Sequence, residues 1–270
     1  VSCNGFSDCS LNVNVTGGNG GNTYQWIGPS GFVSNNPNLS NVIAGNYELT
    51  VTDQFGCVSE TVLFSPAQPA ALSASVFNSD FNGFDISCNG GNDGVINLEV
   101  SGGIQPYDFE WSDGSSDQNL TNASAGNYSV TITCANSCQL VLNNLILTEP
   151  PPIQITNSSI DPVSCFNNSD GAIGITVDGG TGSYNFQWSN GDITEDLVNV
   201  PAGLYTVNIV DENNCVFQEN FNVPTPDPIV ILENINNVSC LGESDGIIDV
   251  SVSGGTPFIS GADAYSYIWS

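Results

Sequence analysis

The 270-residue chain contains no lysine, arginine, histidine or methionine. Its 28 aspartate and glutamate residues are therefore unopposed, and the formal net charge is −28. Nucleic-acid binding requires cationic side chains that displace counterions from phosphates, so this function is excluded. Attraction to an anionic membrane surface is excluded for the same reason, and no side-chain salt bridge can form. The uncompensated charge favours a soluble, extended chain.

Other absences narrow the chemistry further. The sequence has no apolar run of membrane-spanning length, so direct membrane insertion is not expected. Zinc sites that combine cysteine with histidine are impossible, and four-cysteine sites need closely spaced CxxC pairs, which the chain lacks. Catalysis would have to rely on carboxylates, tyrosine and serine alone, and no acidic pair recurs in a way that indicates a cleft. We therefore expect no enzymatic activity and no cofactor other than Ca²⁺, which is considered below.

The chain is built on one skeleton that returns four times: Cys, Gly-Gly, Trp, Gly-x-Tyr, Cys. In the third copy these residues are Cys165, Gly179-Gly180, Trp188, Gly203-Leu204-Tyr205 and Cys215. The distance from the first cysteine to the first glycine is 14 residues in every copy (3 to 17, 88 to 102, 165 to 179, 240 to 254). A module repeated at this period is typical of proteins in which copy number sets length and surface presentation.

Proline-rich segments separate the copies, at residues 66–69, 149–152 and 224–228. Short proline-rich linkers are semi-rigid, so we expect a stiff string of domains. We place the domains at residues 1–68, 69–151, 152–227 and 228–270. The first and last are expected to be truncated, which makes the chain a piece of a longer protein.

Each copy shows the period-two alternation of half-buried β-strands. In the second copy the alternating residues are Ile96, Leu98 and Val100, then Tyr107, Phe109 and Trp111, then Tyr128, Val130 and Ile132. No stretch has a convincing 3.6-residue periodicity. Short strands with glycine-rich turns predict an all-β fold, a tandem array of small immunoglobulin-like or PKD-like β-sandwiches. The tryptophan is expected in the core, because it alternates in phase with Tyr and Phe.

Nine cysteines are present, and six of them occupy equivalent places in the three complete copies. The period favours disulfides within each copy: Cys3–Cys57, Cys88–Cys138 and Cys165–Cys215. Sequence alone does not fix this connectivity. Each such bridge would close a loop of about 50 residues and stabilise its domain by roughly 4 kcal/mol, in an oxidising compartment. Cys240 would then pair beyond residue 270.

Two cysteines depart from the skeleton. Cys9 stands where the other copies have glycine (Gly94, Gly171 and Gly246), and Cys134 stands where the other complete copies have aspartate (Asp53 and Asp211). Cys134 is an alternative to Cys138 as the partner of Cys88, and a partner outside the chain is a further alternative. Cys9, Cys134 and Cys240 are thus the unpaired or alternative cysteines.

Aspartates recur at two turn positions and are the candidate Ca²⁺ ligands. They are Asp8, Asp93, Asp170 and Asp245 before the first strong strand, and Asp53 and Asp211 after the Gly-x-Tyr strand. Oxygen ligands in turns suit Ca²⁺, and a high negative charge attracts it. Aspartate in Asn-Asp-Gly and Ser-Asp-Gly sequences equally caps its own turn, and no segment has the spacing of an EF-hand loop. Ca²⁺ binding and turn capping both remain open.

The combined motif resembles the SprB repeat of very large surface adhesins from gliding bacteria. The residues that carry the resemblance are Ser164-Cys165, Asp170-Gly171, Gly179-Gly180, Gln187-Trp188, Gly203-Leu204-Tyr205 and Asp211, with Cys215. The resemblance extends over three complete copies and the start of a fourth. It implies a structural stalk of a secreted cell-surface filament, associated with the outer membrane, exported by the type IX system and carried by the gliding machinery. Through the full-length adhesin the partner would be an external surface or polysaccharide. The alternative is a repeat array that itself binds Ca²⁺ or surface glycans.

Overall fold

The structure is a computed structural model that describes residues 1–256 and 265–270. The chain divides into two compact units, residues 1–86 with 90–149, and residues 87–89 with 150–270. In the first unit the strands are β1 (Cys9–Leu11), β2 (Thr23–Ile27), β3 (Val33–Ser34), β4 (Leu39–Val42), β5 (Tyr47–Thr52), β6 (Val62–Phe64), β7 (Ser73–Asn78), β8 (Gly94–Ser101), β9 (Tyr107–Trp111), β10 (Leu120–Ala123), β11 (Gly126–Cys134) and β12 (Gln139–Leu147). In the second unit they are β13 (Gln154–Asp161), β14 (Gly171–Asp178), β15 (Asn185–Trp188), β16 (Leu197–Val200), β17 (Gly203–Val210), β18 (Val216–Val223), β19 (Val230–Asn236) and β20 (Ile247–Ser253).

The second and third copies have the same pair of three-stranded antiparallel sheets. The orders are β10-β8-β7 and β12-β11-β9 in the second copy, and β13-β14-β16 and β15-β17-β18 in the third. These orders correspond to the A-B-E and C-F-G sheets of an immunoglobulin-like sandwich. The first copy has sheets β1-β4 and β3-β2-β5-β6, and the described part of the fourth has the pair β19-β20. The prediction of a tandem all-β array is confirmed, whereas the four domain bounds stay predictions.

The core of each of the first three copies is centred on the predicted tryptophan, whereas Trp269 of the fourth copy is 64 % exposed, against the prediction. Trp26, Trp111 and Trp188 are at most 2 % exposed, and each indole Nε1–H donates to a backbone carbonyl 2.9 Å away. The tyrosine of Gly-x-Tyr bonds back to the carbonyl four residues upstream (Tyr47 to Ile43, Tyr128 to Ser124, Tyr205 to Pro201). This is the tyrosine corner that fixes the entry to strand F in immunoglobulin-like domains.

Strand direction places the two skeleton cysteines of one copy at opposite ends of its sandwich. β8 is antiparallel to β10, and β11 follows β10 after two residues and returns in the opposite direction. The end of β8 therefore lies beside the end of β11, where a Cβ built on Gly103 would be 3.1 Å from the Cβ of Cys134. The first cysteine precedes β8, whose eight residues span about 26 Å at roughly 3.3 Å per residue.

Candidate functional site

Two disulfides join cysteines of successive copies. Cys3 is bonded to Cys138 and Cys88 to Cys215, with a Cα–Cα distance of 5.6 Å in each bridge. In both, the first cysteine of one copy is bonded to the second cysteine of the next. The predicted pairs within copies, Cys3–Cys57, Cys88–Cys138 and Cys165–Cys215, are therefore wrong.

The physical reason is the length of the sandwich. A disulfide needs Cα atoms about 4.4–6.8 Å apart, and the two cysteines of one copy are separated by the whole of strand β8 or its equivalent. Cys57 and Cys165, which were expected to be bridged, carry free thiols and are exposed. Cys9, Cys134 and Cys240 are also free, and of these Cys134 is buried.

We call each disulfide-bonded connection between successive copies a joint. One half of a joint is the turn that carries the first cysteine of a copy. An aspartate six residues after the preceding serine closes it by accepting the serine backbone N–H. The distances are 3.0 Å from Ser2 to Asp8, 3.0 Å from Ser164 to Asp170 and 2.9 Å from Ser239 to Asp245. The serine hydroxyl, and then the serine N–H, hold the pKa of these three aspartates below the usual range. Asp93 occupies the same sequence position in the second copy. We refer to this element as the Ser–Cys turn.

The other half is the hairpin turn that carries the second cysteine. Asp211 Oδ1 accepts the N–H groups of Asn213 (3.0 Å) and Cys215 (2.8 Å). Its Oδ2 accepts the N–H (2.9 Å) and hydroxyl (3.1 Å) of Thr181. With four donors aimed at it, this buried carboxylate is fully used in locking the turn.

Asp53 has the same role in the first copy. Its Oδ1 accepts the N–H groups of Phe55 (2.9 Å) and Cys57 (3.0 Å), and its Oδ2 accepts two donors of Asn19. The Cys57 N–H makes the largest contribution to holding the pKa of Asp53 below its usual range, despite the opposing effect of burial.

The candidate Ca²⁺ ligands do not come together. Across residues 1–256 and 265–270, no three His, Cys, Asp or Glu side chains are close enough to hold a metal ion. The hydrogen bonds of Asp8, Asp53, Asp170, Asp211 and Asp245 instead cap turns, which was the alternative reading of these residues. Ca²⁺ binding stays a prediction.

The Gly-Gly turn lies directly under the linker that enters the copy. The first glycine has a positive φ, and a Cβ on it would overlap a linker carbonyl oxygen: 1.9 Å between Gly102 and Ala71, 2.0 Å between Gly179 and Pro152, and 2.0 Å between Gly254 and Pro228. The second glycine donates its N–H to the residue before that carbonyl, for example Gly180 to Pro151 at 2.8 Å. Only glycine permits both the φ and the close approach.

Asparagine side chains complete both bridged joints, and sequence reasoning missed them. The residue after the first cysteine donates to a linker carbonyl (Asn4 to Pro69, 3.1 Å; Asn89 to Pro150, 3.0 Å). The residue two before the second cysteine donates to the carbonyl of the Ser–Cys serine (Asn136 to Ser2 and Asn213 to Ser87, both 3.1 Å). The signal was present in the recurrence of asparagine at these positions beside two cysteines.

Cys9 and Cys134 each pack into a hydrophobic cluster. Cys9 is partly buried against the core of the first copy, opposite Val42. At the equivalent Gly94 a Cβ would lie 2.4 Å from the Ile86 side chain, so the second copy requires glycine. Cys134 is buried beside the Cys3–Cys138 bridge and packs with Tyr107.

A family model, the SprB repeat, matches residues 84–116, 157–193 and 232–270 of the chain. No curated protein sequence matches it significantly. Among solved structures, the N-terminal eight Ig domains of Down Syndrome Cell Adhesion Molecule are similar over 84 % of this chain and 36 % of that one, with 13 % identity and a TM-score of 0.33. The chain therefore spans about a third of that structure.

Two further structures show weaker likeness. Extracellular domains 3–5 of Drosophila OTK match at 11 % identity and a TM-score of 0.21, over 74 % of this chain and 85 % of that one. The FN1–FN3 domains of chicken CNTN1 match at 10 % identity and a TM-score of 0.21, over 74 % and 90 %. Because these TM-scores are low, the assignment of immunoglobulin-like sandwiches is based on the strand orders given above and not on these structures. No helix in the described residues is long and apolar enough to cross a membrane.

Proposed function

We propose that this chain, three segments of which match the SprB repeat, is a tension-bearing stalk segment in the repeat region of a cell-surface adhesin. In this proposal it supports attachment and gliding over surfaces without catalysing a reaction. The resemblance to the SprB family further implies export by the type IX system and coupling to the gliding machinery. It also implies association with the outer membrane and contact with an external surface or polysaccharide.

The observation that carries the proposal is that the two disulfide loops overlap. One loop runs from Cys3 to Cys138 and the other from Cys88 to Cys215, so residues 88–138 belong to both. Along the backbone, Cys3 and Cys215 are separated by 212 residues (3 to 215). Through the two bridges the shortest covalent path contains only the 50 residues between 88 and 138.

A chain with this connectivity resists lengthening even if its sandwiches unfold. At about 3.4 Å per extended residue, the path between Cys3 and Cys215 reaches roughly 170 Å with both bridges and roughly 720 Å without them. If each disulfide lay within one copy, no disulfide would span a linker, and every linker could extend under load. Bridges between successive copies suit a tether that must keep its length under load.

Single-molecule stretching between residues 1 and 270 tests the proposal. The oxidised chain should reach full extension at a contour length shorter by about 160 residues, or roughly 540 Å, than the reduced chain. The double variant Cys3→Ser/Cys88→Ser, kept under oxidising conditions, is the matched control and should extend like the reduced chain.

Equal contour lengths before and after reduction would overturn the tension-bearing role. Calorimetry with Ca²⁺, and with surface glycans, addresses the alternative of a ligand-binding array. Saturable binding with one site per copy would favour that alternative over a passive stalk.

A further inference from the structure

The Ser–Cys turns of both joints contain an Asn-Gly pair directly after the first cysteine. The pairs are Asn4-Gly5 and Asn89-Gly90, and all four residues are exposed to water. The backbone requires glycine at the second position, because φ is +78° at Gly5 and +72° at Gly90. Since glycine has no Cβ, its backbone nitrogen is unhindered toward the asparagine side chain that precedes it.

In the joint between the second and third copies, the linker accepts a hydrogen bond from each member of the Asn-Gly pair. The side-chain Nδ2 of Asn89 donates to the carbonyl of Pro150 at 3.0 Å. The backbone N–H of Gly90 donates to Glu149 Oε2 at 2.7 Å. The two acceptors are consecutive linker residues, so one short stretch of the linker holds the whole pair.

The joint between the first and second copies has the same arrangement. Asn4 Nδ2 donates to the carbonyl of Pro69 at 3.1 Å, and the N–H of Gly5 donates to Gln68 Oε1 at 2.8 Å. The acceptors are again consecutive linker residues, although the glycine N–H now meets a neutral amide oxygen where Glu149 offers a carboxylate. Because the arrangement recurs with different acceptor side chains, it is a property of the joint.

These two hydrogen bonds oppose a reaction to which Asn-Gly pairs are prone. In that reaction the glycine backbone nitrogen loses its proton and attacks the asparagine Cγ, the Cγ–Nδ2 bond breaks, and the amide nitrogen leaves with the proton as ammonia. Water then opens the cyclic imide at either carbonyl, which gives aspartate or isoaspartate. One hydrogen bond retains the proton on the attacking nitrogen, and the other fixes the asparagine side chain on the linker.

We propose that Asn4 and Asn89 are sites of spontaneous deamidation, which is blocked while the Ser–Cys turn lies on the linker and proceeds once the turn leaves it. Conversion replaces an N–H donor with a carboxylate. In the later joint this carboxylate would meet the carbonyl oxygen of Pro150 and the Glu149 side chain, which repel it. A converted joint therefore does not close again in its original form. The inference rests on the hydrogen bonds of the joint and is independent of the tension-bearing role.

Removing one linker acceptor at a time tests the proposal in the oxidised full chain. Glu149→Ala removes the acceptor of the Gly90 N–H, so Asn89 should deamidate about tenfold faster while Asn4 keeps its rate. Gln68→Ala should accelerate Asn4 about fivefold, because its bond to Gly5 is uncharged, and should leave Asn89 unchanged. Each variant is thus the matched control for the other, with both disulfides in place.

Deamidation is followed at neutral pH by peptide mass spectrometry, which also detects isoaspartate. The exposed pair Asn190-Gly191, in the turn after β15 and outside both joints, is the internal standard and should react at one rate in all chains. Reduction of the disulfides should accelerate Asn4 and Asn89 but not Asn190.

Three results would overturn the proposal. The first is unchanged rates in both linker variants or after reduction. The second is acceleration at both joints by a single variant, which would indicate general unfolding. The third is slower deamidation of Asn89 in Glu149→Ala, which would identify the Glu149 carboxylate as a base that assists the attack.

Discussion

The two bridged joints share their disulfide and their asparagine hydrogen bonds but differ in the residue that begins the hairpin turn. In the joint of Cys88 and Cys215, the hairpin turn is locked by the carboxylate of Asp211. In the joint of Cys3 and Cys138, the equivalent residue is Cys134, whose backbone N–H makes the same bond to the carbonyl of residue i+4 (2.8 Å to Cys138, against 3.1 Å for Asp211 to Cys215). The backbone of the turn is thus the same with and without the carboxylate.

The second copy thus has a thiol at the position where the first and third copies have an aspartate that stabilises the hairpin turn. Burial raises the pKa of the Cys134 thiol, but the backbone groups of Ile104, Asn136 and Cys138 together lower it by more, so that its pKa lies below the usual range. Cys134 lies in one buried cluster with both bridged sulfurs. This joint therefore contains a third cysteine within the reach of disulfide exchange, whereas the other joint contains none.

The largest expected effect comes from removing Cys215, and removing Cys138 from the other joint is the comparison. Cys215→Ser should cost about 4–5 kcal/mol in the chain-entropy model, because the bridge closes a loop of 127 residues and no other thiol can replace it. Cys138→Ser should lose much less, because Cys134 can take over as the partner of Cys3. Thiol counting by alkylation, with urea unfolding followed by tryptophan fluorescence, measures both.

The control for this comparison is the double variant Cys134→Ser/Cys138→Ser. It should lose about as much stability as Cys215→Ser, since Cys3 then has no partner within its joint. A free Cys3 thiol in the single variant Cys138→Ser would show that Cys134 cannot replace Cys138.

A smaller effect is expected from the residue that distinguishes the joints. Asp211→Ala leaves the N–H groups of Thr181, Asn213 and Cys215 without their acceptor and should cost about 1–3 kcal/mol. Cys134→Ala removes only the sulfur acceptor of the Ile104, Asn136 and Cys138 backbone groups, which is weaker than a carboxylate, and should cost less. Urea unfolding of the two variants gives the comparison, and equal losses would mean that the carboxylate does not lock the turn.

The smallest effect is local and depends on pH. The pKa of Asp53 is lower in the folded protein than in the unfolded chain. The stability that the Asp53 carboxylate contributes to the folded state is therefore present above the unfolded pKa near 4, and it is lost as the pH falls through the lower, folded pKa. The amide resonance of Cys57, which donates to Asp53, should therefore shift in this acidic range. The amide of Cys138, whose turn has Cys134 in place of the aspartate, should not follow the same titration. Parallel shifts in a two-dimensional NMR titration would contradict the assignment of Asp53 as the lock.

The strands, the buried tryptophans and the tyrosine of Gly-x-Tyr were predictable, because alternation and turn residues are properties of a short stretch of chain. The disulfide pairing was not. A periodic skeleton has the same internal spacing whether a cysteine pairs within its copy or with the next, so sequence separation cannot distinguish the two. The direction of β8 relative to β11 decides it, since this sets which ends of neighbouring sandwiches meet.

The candidate site was predictable only in part. The cysteines and the turn aspartates stand out by recurrence, but their function depends on which backbone N–H groups surround them in three dimensions. Asp211 shows this, because its donors come from Thr181 as well as from its own turn. The glycine of the Gly-Gly turn shows it too, because the carbonyl of Pro152 over Gly179 belongs to a segment 27 residues earlier (152 to 179).

The overlapping loops also determine what a protease can do to this chain. Every peptide bond between Cys3 and Cys215 lies inside at least one of the two disulfide-closed loops. A single cut anywhere in this range therefore leaves one covalently continuous molecule. The molecule separates into two pieces only after a second backbone cut or after reduction of the disulfides.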